Sequence, residues 1–285
     1  MPELPEVEAW IRGLDEPVSL SPVLRAGPAH IATLKTFDPP LSALEGRRFE
    51  GARRRGKWLL FPTPDGELQL RIHLMSAGRI RLLAAGAKGP KSPAFRLGFE
   101  NGSELILTEA GSKKRAGVWL ETPAQTEAEL AHLGPEALGA QNKGVGAERL
   151  AEILAGENRR LHSLLRDQRA LTGIGRAHAN EILNLAELSP FALTTQLTPE
   201  EVVRLAAAID TDLRRALELR EQGKGDKDVY LVHRRLGEPC PRGHDASSGG
   251  PIQQVDYDEH TVFYCPACQT GGRILKDRRL SRLLR

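Results

Sequence analysis

The hydrophobic period of this chain changes once, near residue 125, and that change limits the folds open to its 285 residues. Before it, apolar residues alternate in short runs over 31–37, 47–53, 57–62, 68–74, 79–83, 95–99, 104–107 and 118–121. Turn formers such as Pro64-Asp65-Gly66 and Asn101-Gly102 separate these runs, so they read as strands. Asn101-Gly102 between two alternating runs is a hairpin signal. Many short strands at this spacing predict a sandwich or barrel-like sheet pair, preceded by a helix over residues 3–14. The stretch 84–93, rich in Gly, Lys, Ala and Pro, reads as a mobile loop. After residue 125 the spacing is helical over 127–133, 146–155, 160–167, 176–185 and 199–222, with Gly and Pro between segments. The expected class is α+β and multidomain: an N-terminal helix with a two-sheet β-sandwich, a helical domain and a small C-terminal module. The expected divisions are 1–125, 126–235, 236–270 and a basic tail, 271–285.

The last module carries the cysteines. Cys265-Pro266-Ala267-Cys268 is a C-x2-C knuckle, Cys240 supplies a third thiol, and His244 follows it after three residues. Cys3His is an established structural zinc set, so Cys240, His244, Cys265 and Cys268 are the candidate ligands for a structural Zn2+. The competing readings are a metal-free knuckle with an exposed His244, or Asp245 as an oxygen ligand. Zinc would hold a small β-hairpin whose loop lies around 255–260. Three clustered cysteines do not make a disulfide framework and suit a reducing interior. No stretch approaches the ~20 apolar residues of a membrane span. The N-terminus lacks the apolar run of a signal peptide, so the expected setting is the cytoplasm, in bacterial terms the nucleoid-associated cytosol.

Net charge is +3, unevenly placed. Residues 271–285 hold six basic residues and one acid, and Arg47, Arg48, Arg53, Arg54, Arg55 and Lys57 form a second cluster. Basic clusters on a near-neutral body suggest a polyanion touched at chosen places. The tail suits DNA phosphates, an anionic membrane surface or no partner, and DNA is the most economical choice. Gly173-Ile174-Gly175 opens a helix and offers free backbone N–H groups, a natural phosphate site.

The first eight residues, Met1-Pro2-Glu3-Leu4-Pro5-Glu6-Val7-Glu8, hold the chemistry. Loss of Met1 would expose a prolyl secondary amine, and a terminal amine titrates near ~8, far below lysine. The positive end of a helix macrodipole lowers it further. Such an amine attacks aldehyde-like carbons to give an iminium, and Glu3 and Glu6, one turn apart, are suited to moving protons around it. Pro and Glu are also ordinary helix-start residues.

This octet resembles the opening of the formamidopyrimidine-DNA glycosylase / endonuclease VIII family, and the resemblance extends from Met1 to about Gln269. Residues 171–183 resemble the family's helix–two-turn–helix element, and His132-Leu133-Gly134-Pro135-Glu136 its interdomain segment. The resemblance implies a bifunctional DNA glycosylase and abasic-site lyase of base-excision repair, monomeric, with a structural zinc finger. Pro2, Glu3, Glu6 and Lys57 would be catalytic. His73, Met75, Lys114, Arg115, Gly175, Arg176, His233, Arg235 and His260 match positions that contact DNA.

Several of those positions depart from the family. Met75 stands one place early in His73-Leu74-Met75-Ser76-Ala77-Gly78; it intercalates if a bulge shifts the register, or it is plain core. Lys114-Arg115-Ala116-Gly117 replaces R-R-F-G and lacks the aromatic wedge, a loss of about 1–3 kcal/mol of stacking. Arg176, His233 and His260 replace an asparagine, a tyrosine and an arginine, and 223–227 is short where 8-oxoguanine enzymes carry a longer lesion-capping loop. The expected substrate is therefore an oxidised pyrimidine, an abasic site, single-stranded or branched DNA, or a bulky or cross-linked adduct. The competing class is a non-catalytic damaged-DNA-binding relative. A histidine at 260 would weaken DNA affinity as pH rises through ~6.5.

Overall fold

The computed structural model describes residues 2–111, 113–139, 143–257 and 260–276. The chain forms two compact units, Met1–His132 and Leu133–Arg285.

In the first unit, helix α1 spans Leu4–Ser19, a turn longer than the pattern predicts. It buries Leu4, Val7, Ile11, Leu14 and Val18, the i, i+3, i+4 stripe of an amphipathic helix. Two four-stranded antiparallel sheets follow. One has the order β1-β6-β7-β5, built from Val23–Ala29, Phe95–Phe99, Glu104–Glu109 and Gly78–Leu83. The other has the order β2-β3-β4-β8, built from Arg53–Arg55, Trp58–Pro62, Gln69–His73 and Gly117–Glu121. Their inner faces share one core with α1, including Phe49, Phe61, Ile72, Phe95, Phe99 and Leu107. The sandwich is the fold the alternating runs predict. The β6–β7 hairpin turns at Asn101-Gly102, with Gly102 at φ +80 and Asn101 Oδ1 accepting the Ser103 N–H at 3.0 Å.

Three local expectations differ. The strand predicted over 31–37 is a turn joined to the sheet by the single bridge Leu34–Val118. The run 47–53 is loop until β2 begins at Arg53. Strand β1 is unpredicted, because Gly27-Pro28 interrupts its alternation. Helix α2, Pro123–Leu130, starts earlier than the period suggests and belongs to the first unit. Thr122 gives it a capping box with Gln125, and Thr126 Oγ1 donates to Glu121 of β8 at 2.6 Å.

The second unit holds α3 (Ala147–Ala155), α4 (Leu161–Arg166), α5 (Arg176–Leu185), α6 (Pro199–Glu221) and the short α7 (Asp226–Val229). Helix α5 is nearly buried throughout, so it serves as the unit's axis. The hairpin β9 (Gln253–Tyr257) and β10 (His260–Tyr264), then α8 (Pro266–Thr270), pack against α5. Residues 255–257, expected in a loop, are strand; the hairpin's tip at 258–259 lies outside the described residues. So does 277–285, where the sequence spaces Leu280, Leu283 and Leu284 as on one face of a helix. Among the described residues no helix is long and apolar enough to cross a membrane.

Candidate active site and metal centre

Pro2 and Glu3 lie at the head of α1, both buried, with Glu3 only 3% exposed. Glu3 is the N-cap residue; its carbonyl accepts the N–H groups of Glu6 and Val7 at 3.1 Å each. Glu6, one turn on, is half-buried. Glu8 ties this end of the helix to the sheet, accepting from Arg54 Nε at 2.8 Å and Arg12 Nε at 3.0 Å. Burial works against ionisation of Glu8, but the two guanidinium groups outweigh it and hold its carboxyl below the usual range. Arg54 also donates to the Gly56 carbonyl at 3.0 Å, bracing the β2–β3 turn where Gly56 sits at φ +57. The next residue is Lys57, 7% exposed. One arginine thus fixes helix α1 to the turn that carries the lysine.

His73 ends β4 opposite Trp58, with ring centroids 4.4 Å apart. Burial, helped by the positive charges of Lys57 and Arg71, pushes His73 down to about 4, so it is neutral at physiological pH. The Met75 N–H donates to its Nδ1 at 3.2 Å, leaving Nε2 as the N–H-bearing nitrogen of the neutral ring. Behind it, Arg71 lies between Trp58 and Trp119, 4.6 and 4.4 Å from the two ring centroids. Its guanidinium pairs bidentately with Glu121 at 2.6 and 3.0 Å. The sequence reading missed this cluster, because Arg71 and Glu121 are fifty residues apart.

Met75 is not core. It adopts φ +49 in the β4–β5 turn and is 39% exposed. In the loop after β7, Glu109 Oε2 accepts the N–H groups of Arg115 and Ala116 at 2.8 and 3.0 Å. The Lys114 ammonium donates to the carbonyls of Glu109 and Gly111, so it closes its own loop, whereas Arg115 is exposed. Ala116 is fully buried and offers no wedge.

In the second unit, Gly175 is the N-cap of α5, and exposed Arg176 follows it. The preceding turn is held by Gln168, which donates to the Ile174 carbonyl at 2.7 Å and accepts from Gly173 N–H at 3.0 Å. Glu181, buried on α5, accepts three consecutive N–H groups, from Leu231, Val232 and His233, at 2.9, 3.0 and 2.7 Å. Burial and the charge of Asp212 push it up to about 7 despite those donors. His233 sits edge-on between Tyr230 and Phe263, with its Nδ1 2.8 Å from Asn180 Nδ2. Arg235 spends its guanidinium on Tyr230 and Lys227 carbonyls and on Glu238. His260 heads β10 opposite Tyr257.

The four candidate metal ligands converge. The Sγ atoms of Cys240, Cys265 and Cys268 and His244 Nδ1 lie within 4.8 Å of one another. Cys240 and Cys268 sulfurs are 3.7 Å apart, and Nδ1 is 3.1–3.7 Å from the three sulfurs. A tetrahedron with Zn–S of about 2.3 Å and Zn–N of about 2.0–2.1 Å has edges of about 3.5–3.8 Å. Gly243 at φ +80 makes the knuckle turn, Cys240 N–H bonds the His244 carbonyl at 2.9 Å, and Arg242 N–H donates to Cys240 Sγ at 3.3 Å. Burial opposes ionisation of Cys240, but these backbone donors and the His244 ring hold it down at about 7. Burial and the neighbouring thiols push Cys268 up to about 12. Three thiols this close do not ionise together unless a dication sits among them, so the set fits structural Zn2+. Arg242 also donates to the Asn184 and Leu185 carbonyls at 3.0 and 2.9 Å, joining the knuckle to the C-terminus of α5.

A helix-headed two-sheet unit, a glycine-opened helix pair and a metal-knuckle hairpin together define an Fpg-like fold. The family model described as the formamidopyrimidine-DNA glycosylase N-terminal domain matches residues 1–115, and that of the H2TH domain matches 133–228. The chain belongs to the formamidopyrimidine-DNA glycosylase family. The formamidopyrimidine-DNA glycosylase of Chloroflexus aurantiacus is 32% identical, covering 94% of this chain and 98% of the relative. That of Vibrio parahaemolyticus is 30% identical, covering 94% and 100%. A solved Lactococcus lactis formamidopyrimidine-DNA glycosylase bound to an AP-site DNA has a TM-score of 0.81 at 25% identity, covering 94% and 99%. A second Lactococcus structure, with DNA containing THF, has a TM-score of 0.83 at 25% identity, covering 94% and 100%. That protein is a mutant with Gly-His in place of a cysteine; here the knuckle reads Gly243-His244.

Proposed function

We propose that the chain excises damaged bases from DNA through its N-terminal proline and then cuts the abasic strand. It is a DNA glycosylase of base-excision repair, with damaged DNA as partner and zinc as a structural metal only. Named glycosylases over nearly its full length support this. The observation that carries the chemistry is the buried Pro2–Glu3 pair at the head of α1.

With Met1 removed, the Pro2 nitrogen lies at the positive end of the helix, which favours its neutral, nucleophilic form. The damaged nucleotide is flipped out of the stack. The amine attacks C1′ of the deoxyribose; the C1′–N bond to the base breaks, and the base leaves with the electron pair and takes up a proton. Glu3 gives a proton to the ring oxygen, the ring opens, and a C1′ iminium remains. That iminium acidifies C2′. Loss of the C2′ proton expels the 3′ phosphate, and δ-elimination then expels the 5′ phosphate. Water hydrolyses the iminium and frees Pro2, with Glu6 ordering amine and water. Lys57 and the neutral His73, donating from Nε2, hold phosphates beside the lesion. Gly175 N–H, Arg176, Arg115 and His260 engage further phosphates; His233 and Arg235 hold the segment behind them.

A buried Ala116 in the wedge position supports a substrate other than oxidised purine opposite cytosine: an oxidised pyrimidine, an abasic site, single-stranded or branched DNA, or a bulky adduct. Met75, exposed in its turn, is the side chain proposed to fill the gap left by a flipped base. The enzyme works as a monomer in the cytoplasm on nucleoid DNA. Strand-cleavage assays over a lesion panel test the reading. Cleavage lost when a residue is added before Pro2, with DNA binding kept, is expected; tight binding with no cleavage of any substrate would make the chain a non-catalytic binder.

A further inference from the structure

We infer that the second unit carries a second DNA site, a groove for a single-stranded phosphodiester backbone. It is built by Arg160 and the start of the C-terminal tail, and it rests on the reading of DNA as the partner. The groove has a volume of about 800 Å³ and is lined by Arg160, Arg273 and Lys276, with Ser189, Gln196 and Phe191 among the residues between them. Among the described residues no acidic residue lines it.

Arg160 is its fixed point. The guanidinium lies 4.1 Å from the ring centroids of both Phe191 and Tyr257, which are themselves 5.2 Å apart. Two rings immobilise the planar fork and leave its N–H edge for a ligand. Among the described residues no carboxylate pairs with Arg160, Arg273 or Lys276: Arg160 lies on its two rings, and Arg273 Nε donates to the Thr270 carbonyl. An arginine held by rings with no acid is preorganised for a phosphate. The backbone places it: Arg160 caps α4 and bridges Leu193, and the Leu161 N–H donates to the Ala192 carbonyl.

The other wall is the tail. The Leu275 N–H donates to Tyr264 Oη at 2.7 Å, and the Leu275 side chain packs beside Phe191, Val255 and Val262. Arg273 and Lys276 flank that anchor and are exposed. Four more arginines follow in the sequence before its end. Phosphate alone would leave the groove's apolar lining, Phe191 and the 55%-exposed Ile274, uncovered. A single strand brings both a run of phosphates and apolar sugar and base faces.

The test compares the native chain with the triple variant Arg160→Gln, Arg273→Gln, Lys276→Gln. Three readouts are taken: affinity for an undamaged twenty-nucleotide oligo-dT, binding to phosphatidylglycerol–phosphatidylcholine vesicles, and borohydride trapping on a short blunt abasic duplex. Three lost phosphate contacts lower the single-strand salt slope by about 2 and the affinity roughly a hundredfold at ~0.1 M salt. That loss, with native thermal midpoint and native trapping, is the expected result. If native protein fails to trap but the variant still loses oligo-dT affinity, the groove stands and the glycosylase reading falls. Unchanged oligo-dT affinity overturns the proposal. So does a loss confined to vesicles, or an equal loss in every assay with a lowered midpoint.

Discussion

Replacing Glu121 by alanine should cost the first unit more than any comparable surface change. Arg71 and Glu121 are 3% and 7% exposed at their side chains, and their two hydrogen bonds are 2.6 and 3.0 Å. Removing one partner of a buried pair strands the other charge and costs about 3–5 kcal/mol. Thr126 also loses its acceptor, so the cost should fall in the upper half of that range. With an m-value of about 2 kcal/mol/M, 4 kcal/mol moves the urea midpoint down by about 2 M. Arg71→Leu with Glu121→Leu should recover most of the loss, since an apolar pair of similar size removes the stranded charge. Urea unfolding followed by the fluorescence of Trp58 and Trp119 reads both variants. A midpoint shift under about 0.5 M for Glu121→Ala, or a double variant no better than the single, would refute the reasoning.

His73 titrates near 4 in the folded chain, against about 6.5 when unfolded. Between those values only the unfolded state takes up the proton, so stability is full above pH ~6.5 and falls toward pH 4, by roughly 3 kcal/mol; His73→Gln should flatten that part of the pH–stability curve. His73 stays neutral in this range, so a weakening of DNA affinity between pH 6 and 8 that vanishes in His260→Lys assigns that part to His260; affinity flat with pH in the native chain would remove His260 from the phosphate contacts. Chelation should release one zinc per chain, measured by atomic emission, and lower DNA affinity. His244→Cys should keep the metal while His244→Ala loses it. Arg54→Leu, which frees the Gly56 turn and Glu8 at once, should cut strand cleavage by at least tenfold while leaving binding of undamaged duplex near native.

Much of the fold was legible because its signals are local. The Asn101-Gly102 hairpin, the Gly-x-Gly helix start and the Cys-x2-Cys knuckle each depend on residues close in sequence, and each forms. The alternation of 31–37 misled, because a run joined by one bridge looks the same in sequence as a full strand. Strand β1 was hidden by Gly27-Pro28, residues that ordinarily end strands. At the candidate site, the opening octet named the proposed nucleophile and acids. Sequence could not show what holds them. Arg54 reaches Glu8 across forty-six residues, and Arg71 reaches Glu121 across fifty. Glu181 collects three N–H groups from a segment fifty residues away. Charged residues within strands and helices ordinarily read as solvated faces; only the fold shows which are buried with partners. Arg160 had the same fate, since the rings that fix it come from a loop and a distant strand.

Borohydride reduction of the enzyme on abasic-site DNA, followed by peptide mapping of the adduct, tests the central claim most directly. The account predicts a single DNA–peptide adduct at the Pro2 nitrogen, reduced in yield by Glu3→Gln and abolished by one extra residue before Pro2. An adduct at a lysine, or none on duplex, single-stranded or branched DNA bound with high affinity, would contradict it.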